Sequence, residues 1–480
     1  EDGWIEPGLA AEAAVALERG LAAFEAAASE LLTGYQRACW AMLLMARGEG
    51  LDEDHRVAAL RAAMEVLPAG TRRGERAVIG RELGGALAGA GAPVDAAEAL
   101  GQAAEDAAAA EDTRLLASTL SQLGVLRRHL GLQAEAVDAL TRAVPLWERL
   151  DEPHLADRAR FDLAWALVDD DRPLEAAEVA ESALAAVEAT LAEDDPAPGD
   201  SPAGSPAPGG SPPAGAPPSA EDRARPAVTA IAAQRAVLAG MLAYCAATAA
   251  RDIGDEAYAA TLAERSACWH QRAGNGLARA ESLQLAAECQ SDRASATDQY
   301  ALAATLYRES GEVLRSLTCL RARAMAVVHA DGLAAARLAL TEISAVLDAA
   351  VEAAAERDDE RERLALEWHR VALADHTVRV LATGGATEEA LRTVEGIAGR
   401  YRELGDAWSA RDVTGLRGLL LEELGRVEEA LDELRASAEE ALDAGDTEQM
   451  RSLGTQLAAA LDELGRPDQA DAAWSRYSHR

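Results

Sequence analysis

Apolar and polar positions along the chain follow a repeated pattern, in which a glycine is followed five residues later by an alanine within a leucine-rich stretch. Five intervals between neighbouring alanines of this pattern measure 40 residues. The clear copies are Gly91/Ala96, Gly131/Ala136, Gly385/Ala390, Gly425/Ala430 and Gly465/Ala470, and the weaker copies are Asp171/Ala176, Ser291/Ala296 and Asp331/Ala336. A fixed period of this length indicates a repeat protein.

Each copy of the pattern predicts two helices joined by a tight turn. A small residue such as Gly84 or Gly124 stands twelve positions before the alanine, where it would let a second helix approach closely. The turn glycine supplies the left-handed backbone that ends the first helix. The alanine and the apolar residue four positions later share one face of the second helix. Because no sustained period-two alternation indicates a strand, we predict an all-α chain of helical hairpins.

These hairpins resemble the tetratricopeptide repeat (TPR). One copy carries the Leu-Gly, Gly, Ala, large apolar and Ala positions of that family in its order and at its spacing: Leu123-Gly124, Gly131, Ala136, Leu140 and Ala143. The resemblance implies a superhelical solenoid of antiparallel helix–turn–helix repeats, whose first helices line a concave binding groove. The family's usual period is about 34 residues, so we expect longer helices or longer inter-repeat turns in this chain.

Two interruptions divide the repeat array. Residues 194–222 consist almost entirely of Pro, Gly, Ser, Ala and Asp, and such a segment has too little apolar surface to offset the entropy of ordering. We therefore predict an N-terminal TPR-like helical array over residues 1–193, a disordered linker over 194–222 and a C-terminal TPR-like helical array over 223–480. The second interruption, at 354–363, carries closely spaced opposite charges and predicts one lengthened, solvated helix.

Composition restricts the possible classes of function. The formal net charge is −36 and the chain contains no lysine, so its surface repels phosphate backbones and we predict no direct binding of nucleic acid. This lysine-free, Ala/Arg/Gly-rich usage is typical of a high-GC bacterium. The five cysteines are widely spaced without a CxxC pair, which is typical of reduced core residues in a cytoplasmic protein. No apolar run approaches the length of about 18 residues that spans a bilayer, and we predict no membrane contact.

The sequence offers no set of catalytic residues. Without lysine there can be neither a Walker phosphate loop nor Schiff-base catalysis. The eight histidines include no HExxH pair, and Cys268-Trp269-His270 has no second cluster at zinc spacing. We predict that Cys268 is a small core residue. The expectation is a non-enzymatic protein without catalytic, cofactor-binding or metal-binding residues.

The resemblance to the TPR family assigns groove positions to particular residues. The positions correspond to Ser118, Ser121, Val125, Arg128 and His129 in one hairpin, to Arg158, Phe161, Trp165, Val168 and Asp169 in the next, and to Thr318, Arg321, Met325, Val328 and His329 in a later one. The candidate peptide-binding residues are Ser121, Arg128, His129, Arg158, Phe161, Trp165, Arg321, Met325 and His329. An aromatic pair flanked by arginines suits a peptide with an acidic group.

Two alternatives accompany this assignment. Phe161 and Trp165 could instead be core residues, because they are four positions apart on one helix. In the last two hairpins the groove positions are acidic and predict a preference for a basic partner; they include Asp412, Glu422, Glu423, Asp462 and Glu463.

Three functional hypotheses remain open. The first is a cytoplasmic scaffold or adaptor that binds a peptide or helical partner in its groove. The second is the regulatory or sensor region of a larger multidomain protein, such as a transcriptional regulator or NTPase, since the chain starts at Glu1 without a methionine. The third is a helical enzyme, for which no nucleophile or metal set is found. The sequence leaves the partner's identity and the oligomeric state open.

Overall fold

The computed structural model describes residues 7–26, 33–48, 52–194, 220–357 and 359–477. Every regular element within these ranges is an α-helix, and consecutive helices pack against one another as hairpins. The predicted all-α architecture of repeated helical hairpins is confirmed.

The chain forms two compact units, which are divided between Leu262 and Ala263. Unit 1 contains α1 (Pro7–Ala26), α2 (Gly34–Gly48), α3 (Glu53–Val66), α4 (Arg73–Gly89), α5 (Pro93–Ala109), α6 (Thr113–His129), α7 (Gln133–Arg149), α8 (Pro153–Asp169), α9 (Pro173–Asp194) and α10 (Ala220–Ile253). The division falls inside α11 (Glu256–Arg272).

Unit 2 contains α12 (Gly276–Cys289), α13 (Arg293–Glu309), α14 (Val313–Ala330), α15 (Leu333–Arg357), α16 (Glu360–Thr383), α17 (Thr387–Thr393), α18 (Ile397–Glu403), α19 (Ala407–Glu423), α20 (Val427–Asp443), α21 (Thr447–Glu463) and α22 (Pro467–Tyr477).

The 40-residue repeat consists of two equal halves. Helices α4 to α8 each have 17 residues, and successive helices are joined by three-residue turns. A left-handed residue lies at the centre of each turn: Gly91, Glu111, Gly131, Asp151 and Asp171. The sequence pattern marked only alternate turns with glycine, because the turns between hairpins place an acidic residue in this conformation. A residue with a side chain pays about 1 kcal/mol there.

The close approach of helices predicted at the small residues is confirmed. In the hairpin α4–α5, a Cβ atom added to Gly84 would lie 2.5 Å from Cγ of Leu100. Gly124 contacts Leu140 in the same manner in the hairpin α6–α7. The leucine of the second helix therefore occupies the space that a side chain on the first helix would need.

The domain boundaries expected from composition stay a prediction. Residues 195–219, which form most of the predicted linker, lie outside the described residues, and the disorder predicted for them stays a prediction. The helices on either side, α9 and α10, pack against each other within unit 1. The segment therefore connects two neighbouring helices of one unit, and the division between units follows later in the chain.

Helix α10 is unusually long and apolar. Its segment Ala230–Ile253 has a mean hydropathy of 1.4 and is long enough to cross a membrane by length and composition alone. Core helices of soluble proteins pass the same test, so this is weak evidence for a membrane span. Packing against α8 and α9 accounts for the buried alanines of this segment.

From α16 to α22, unit 2 repeats the 20-residue spacing with a turn glycine of positive φ: Gly385, Gly405, Gly425, Gly445 and Gly465. One helix of this series is interrupted, because Gly396, with φ of 78°, separates α17 from α18. The sequence pattern found three of the five turn glycines. Gly405 and Gly445 lie in the turns between hairpins; Ala410 follows Gly405 five residues later, whereas Met450 takes that position after Gly445.

The single lengthened helix predicted at 354–363 is wrong. Two long helices meet there instead: α15 has 25 residues and ends at Arg357, and α16 has 24 residues and begins at Glu360. The carboxylate of Asp359 accepts a hydrogen bond of 2.9 Å from the backbone N–H of Glu362. This contact caps the N-terminus of α16, so the local hydrogen bond overrides the charge pattern that favoured continuity.

Candidate functional site

Three successive first helices of hairpins, α4, α6 and α8, pack side by side in unit 1. They leave a cleft of about 400 Å³, which we call the groove cleft. Its lining residues are Gly84, Gly85, Ala88, Leu100, Ser121, Gln122, Val125, Leu126, His129 and Asp162. The cleft therefore includes two of the candidate residues, Ser121 and the exposed His129, and it is mostly apolar.

Ser121 fixes one wall of the groove cleft. Its hydroxyl accepts a hydrogen bond of 3.1 Å from Nε1 of Trp147 and donates one of 3.0 Å to the carbonyl oxygen of Ala117. Trp147 is buried in α7, and a buried indole N–H needs such an acceptor. Ser121 thus joins the groove helix α6 to the helix behind it.

Arg128 is already paired within the protein. Its Nε lies 2.6 Å from the carboxylate of Asp169, and its guanidinium carbon lies 5.5 Å from the centre of the Trp165 ring. The Trp165 ring is in turn 6.2 Å from the ring of Tyr244 in α10. These contacts link α6, α8 and α10. An acidic group of a partner would have to compete with Asp169 for this arginine.

Arg158, Phe161 and Asp162 form a second connected group on α8. Phe161 is only 7% exposed, so of the two alternatives for this residue the structure gives the core position. Arg158 lies over the Phe161 ring at 5.4 Å, and its Nε is 3.5 Å from Asp162. Burial raises the pKa of the Asp162 carboxyl, although Arg158 and the other nearby cationic groups oppose the rise.

The three candidates in unit 2 lie in different environments. Arg321 is 5% exposed, with Nη1 2.6 Å from Nδ1 of His369 and its guanidinium 5.6 Å from the Trp368 ring centre. This burial leaves Arg321 little surface for a peptide. Met325 packs partly buried against the core of unit 2, whereas His329 is exposed. Unit 2 therefore does not present these three side chains together on one open surface.

The acidic groove positions of the last hairpins are partly used within the protein. Asp412 accepts a hydrogen bond of 2.6 Å from Arg379, and Glu423 accepts one of 3.0 Å from the hydroxyl of Thr387. Burial, followed by the nearby Glu463, raises the pKa of Glu422. The preference for a basic partner at this end stays a prediction.

Sequence reasoning missed a larger cleft between α8 and α10, which we call the α8–α10 cleft. Its volume is about 660 Å³, and its lining residues are Pro153, His154, Arg158, Ile231, Gln234, Arg235, Val237, Leu238 and Met241. Only Arg158 among them was a candidate. The repeat pattern gives no sign of the α10 residues, although Ile231, Arg235 and Leu238 recur at helical spacing.

Cys268 is exposed, so its predicted core position is wrong. It lies in the C-terminal half of α11. The other described cysteines are buried or half-buried, and burial raises the pKa of the Cys245 thiol to about 12. Within the described ranges, no group of three or more His, Cys, Asp or Glu side chains is arranged to hold a metal ion.

Comparison with known sequences gives no relative for this chain. No family model matches it, and no curated protein matches it. The resemblance to the TPR family and the high-GC origin therefore stay predictions.

Several solved structures are similar in fold. The chain aligns with aspartyl phosphate phosphatase F from Bacillus subtilis at 10% identity and a TM-score of 0.43, covering 84% of this chain and 92% of that one. It aligns with a STAND (signal transduction ATPase with numerous domains) protein with a tetratricopeptide repeat sensor from Pyrococcus horikoshii at 11% identity and a TM-score of 0.41. That alignment covers 87% of this chain but only 54% of the STAND protein.

A third similar structure is the apo form of RapI, at 10% identity and a TM-score of 0.37, covering 65% of this chain and 99% of that one. These TM-scores are low, and we draw no argument about function from them.

Proposed function

We propose that this chain is a non-enzymatic, cytoplasmic scaffold or adaptor that binds a protein or peptide partner in the groove cleft. The observation that supports the proposal is the cleft itself, which combines an apolar interior with one buried carboxylate at its edge. Concave apolar sites with a few fixed polar groups are where proteins bind ligands.

The shape of the groove cleft suits an apolar side chain of a partner. Gly85 leaves open space on α4 beside Ala88, and Val125 on α6 forms an apolar wall of the same cleft. Leu100 closes the cleft from α5. Burial of one large apolar side chain in such a site contributes about 2 kcal/mol. One apolar side chain buried in the groove cleft would therefore act as the main anchor of a short peptide.

Asp162 gives the groove cleft a polar end. Its side chain is 10% exposed, and its carboxyl can accept a hydrogen bond from a backbone or side-chain N–H of the partner. Such a donor would also relieve the cost of burying the carboxyl. The expected partner segment thus places an N–H group beside an apolar side chain.

The walls of the cleft are held in position before a partner arrives. Ser121 is bonded to Trp147, and Arg128 is bonded to Asp169. Groups that are fixed in advance lose less entropy when they bind. The proposal therefore does not require a rearrangement of the groove helices.

The test is affinity purification from cells of the source organism with quantitative mass spectrometry, using the wild-type chain, Val125→Asp and Val94→Asp. Val125 lines the groove cleft, and Val94 is 69% exposed at the start of α5. We expect a specific protein to be retained by the wild type and by Val94→Asp, and to fall about tenfold with Val125→Asp. Recovery that is equal with both variants rejects the groove cleft as the binding site.

A further inference from the structure

Helix α10, which forms one side of the α8–α10 cleft, is longer than the helices of the regular repeats. If α10 had the 17 residues of α8 and ended at Ile253, it would begin at residue 237. Helix α10 begins at Ala220, so it carries an N-terminal extension. Ile231, Gln234 and Arg235 belong to that extension and line the cleft. The extension of α10 therefore supplies one part of the cleft, and the regular parts of α8 and α10 supply the rest.

An apolar stripe runs along the cleft side of α10. Ile231, Leu238 and Met241 are spaced by seven and three residues, which places them on one face of the helix. Ile231 is 49% exposed, and the other two are half-buried. The stripe is about 15 Å long at the helical rise of about 1.5 Å per residue. This length matches about three turns of a partner helix.

The charge of the lining is unlike that of the whole chain. Arg158, Arg235 and His154 line the cleft without an aspartate or glutamate among the lining residues, whereas the chain has 82 acidic residues against 46 basic ones. Arg158 contacts Asp162 at 3.5 Å, but its side chain is 58% exposed, and a guanidinium has several N–H donors left after one contact. His154 lies 3.6 Å from Glu152.

We infer that the α8–α10 cleft is a docking site for an amphipathic helix of a partner protein that carries acidic residues beside its apolar face. The apolar stripe of α10 would bury the apolar face of the partner helix, in the manner of helix-in-groove recognition. The cationic side chains at the edge would meet its carboxylates. This site is separate from the groove cleft, and either proposal can fail without the other.

The experiment measures fluorescence anisotropy with the full chain and a defined probe. The probe is a fluorescein-labelled helical peptide of about 15 residues, with leucine at spacings of three and four and glutamate at the outer positions. A matched peptide has lysine in place of every glutamate. We expect saturable binding of the glutamate peptide, about tenfold weaker binding of the lysine peptide, and weaker binding of the glutamate peptide at high salt.

Variants then assign the binding to the cleft. Ile231→Asp places a charge on the apolar stripe and should weaken binding of the glutamate peptide about tenfold. Arg158→Gln should reduce the preference for glutamate over lysine. Leu174→Asp is the matched control, because Leu174 is 66% exposed on α9 and does not line the cleft. Circular dichroism of each variant shows whether its helix content is retained.

Three results of the peptide experiment would overturn the inference. They are no saturable binding of the glutamate peptide, equal affinity for the two peptides, or equal loss of affinity with Ile231→Asp and Leu174→Asp. Sedimentation of the chain alone tests whether the cleft instead holds a second copy of this chain. If the wild type self-associates and Ile231→Asp does not, the cleft holds a second copy of this chain and a foreign partner helix is rejected. The groove cleft is tested independently by Val125→Asp.

Discussion

Two adjacent glycines of α4 provide a direct test of how the hairpins are packed. A Cβ atom at Gly84 would lie 2.5 Å from Cγ and 2.8 Å from Cδ2 of Leu100, and 3.2 Å from the carbonyl oxygen of Ala96. A Cβ atom at Gly85 would meet no atom within 4 Å. Gly84→Ala and Gly85→Ala therefore make the same chemical change in the same helix, with and without a neighbour in its path.

The expected free energies of unfolding change in opposite directions. Alanine gains about 1 kcal/mol over glycine in a helix interior, and this gain applies to both variants. At Gly84 the added methyl group must displace Leu100, and overpacking of this kind costs about 1–3 kcal/mol. Gly85→Ala should therefore stabilise the hairpin by up to about 1 kcal/mol. Because the propensity gain cancels between the two variants, their difference of about 1–3 kcal/mol measures the close approach of α5 alone.

Hydrogen exchange followed by mass spectrometry is the suitable assay, because long repeat arrays do not unfold in one two-state step. Amides of α4 and α5 should exchange faster in Gly84→Ala and more slowly in Gly85→Ala than in the wild type. Amides of unit 2 serve as the internal reference. If Gly84→Ala slows exchange in these helices as much as Gly85→Ala does, the contact between Gly84 and Leu100 is refuted.

Three further predictions concern single contacts. Burial, followed by neighbouring arginines, lowers the pKa of His369 and His376 to about 4 from the ordinary value of 6.5. Their contribution to stability is therefore complete above pH 6.5 and is lost as the pH falls towards 4, by up to about 3 kcal/mol per histidine. Hydrogen exchange of α16 across this range should show the loss, and a flat pH profile contradicts it. Asp359→Ala removes the cap of α16 and should destabilise that helix by about 1 kcal/mol in the same assay; unchanged exchange at the start of α16 rejects the cap. Arg128→Ala should cost about 1 kcal/mol and shift the tryptophan emission, and a shift that persists in a Trp165→Phe background would show that the stacking contact is not its source.

Much of the fold follows from local rules that are visible in the sequence. The pairing of Gly124 with Leu140 is predictable, because a small residue opposite a large one at a fixed spacing indicates close helix packing. The turns between hairpins are less visible, since Glu111 and Asp151 adopt a left-handed backbone without glycine. The break before α16 has a signal of its own, because an Asp three residues before a Glu is typical of a helix start. The closely spaced opposite charges around it favour a continuous helix instead.

The site is less predictable than the fold, because it depends on contacts between hairpins. Arg128 and Asp169 both occupy groove positions, and their ion pair follows once neighbouring groove helices are placed side by side. Opposite charges at such positions in consecutive repeats therefore predict internal pairing before they predict a ligand. Whether Phe161 lies in the core or in the groove cannot be decided from the sequence, because two aromatic residues four positions apart fit a buried helix face as well as an exposed face.

Charged residues on and beside the groove helices are paired within the protein in both units. In unit 2, Arg379 lies 3.0 Å from Asp375 and 2.6 Å from Asp412, and Arg411 lies 3.1 Å from Asp446. These groups satisfy one another, and breaking such partly buried pairs is costly, so a partner gains little by contacting them. Unit 1 pairs its groove charges as well, but it leaves two apolar clefts open beside them. Under the two proposals above, selective binding of a partner would depend on the apolar surfaces of unit 1, and charge would decide which partner fits.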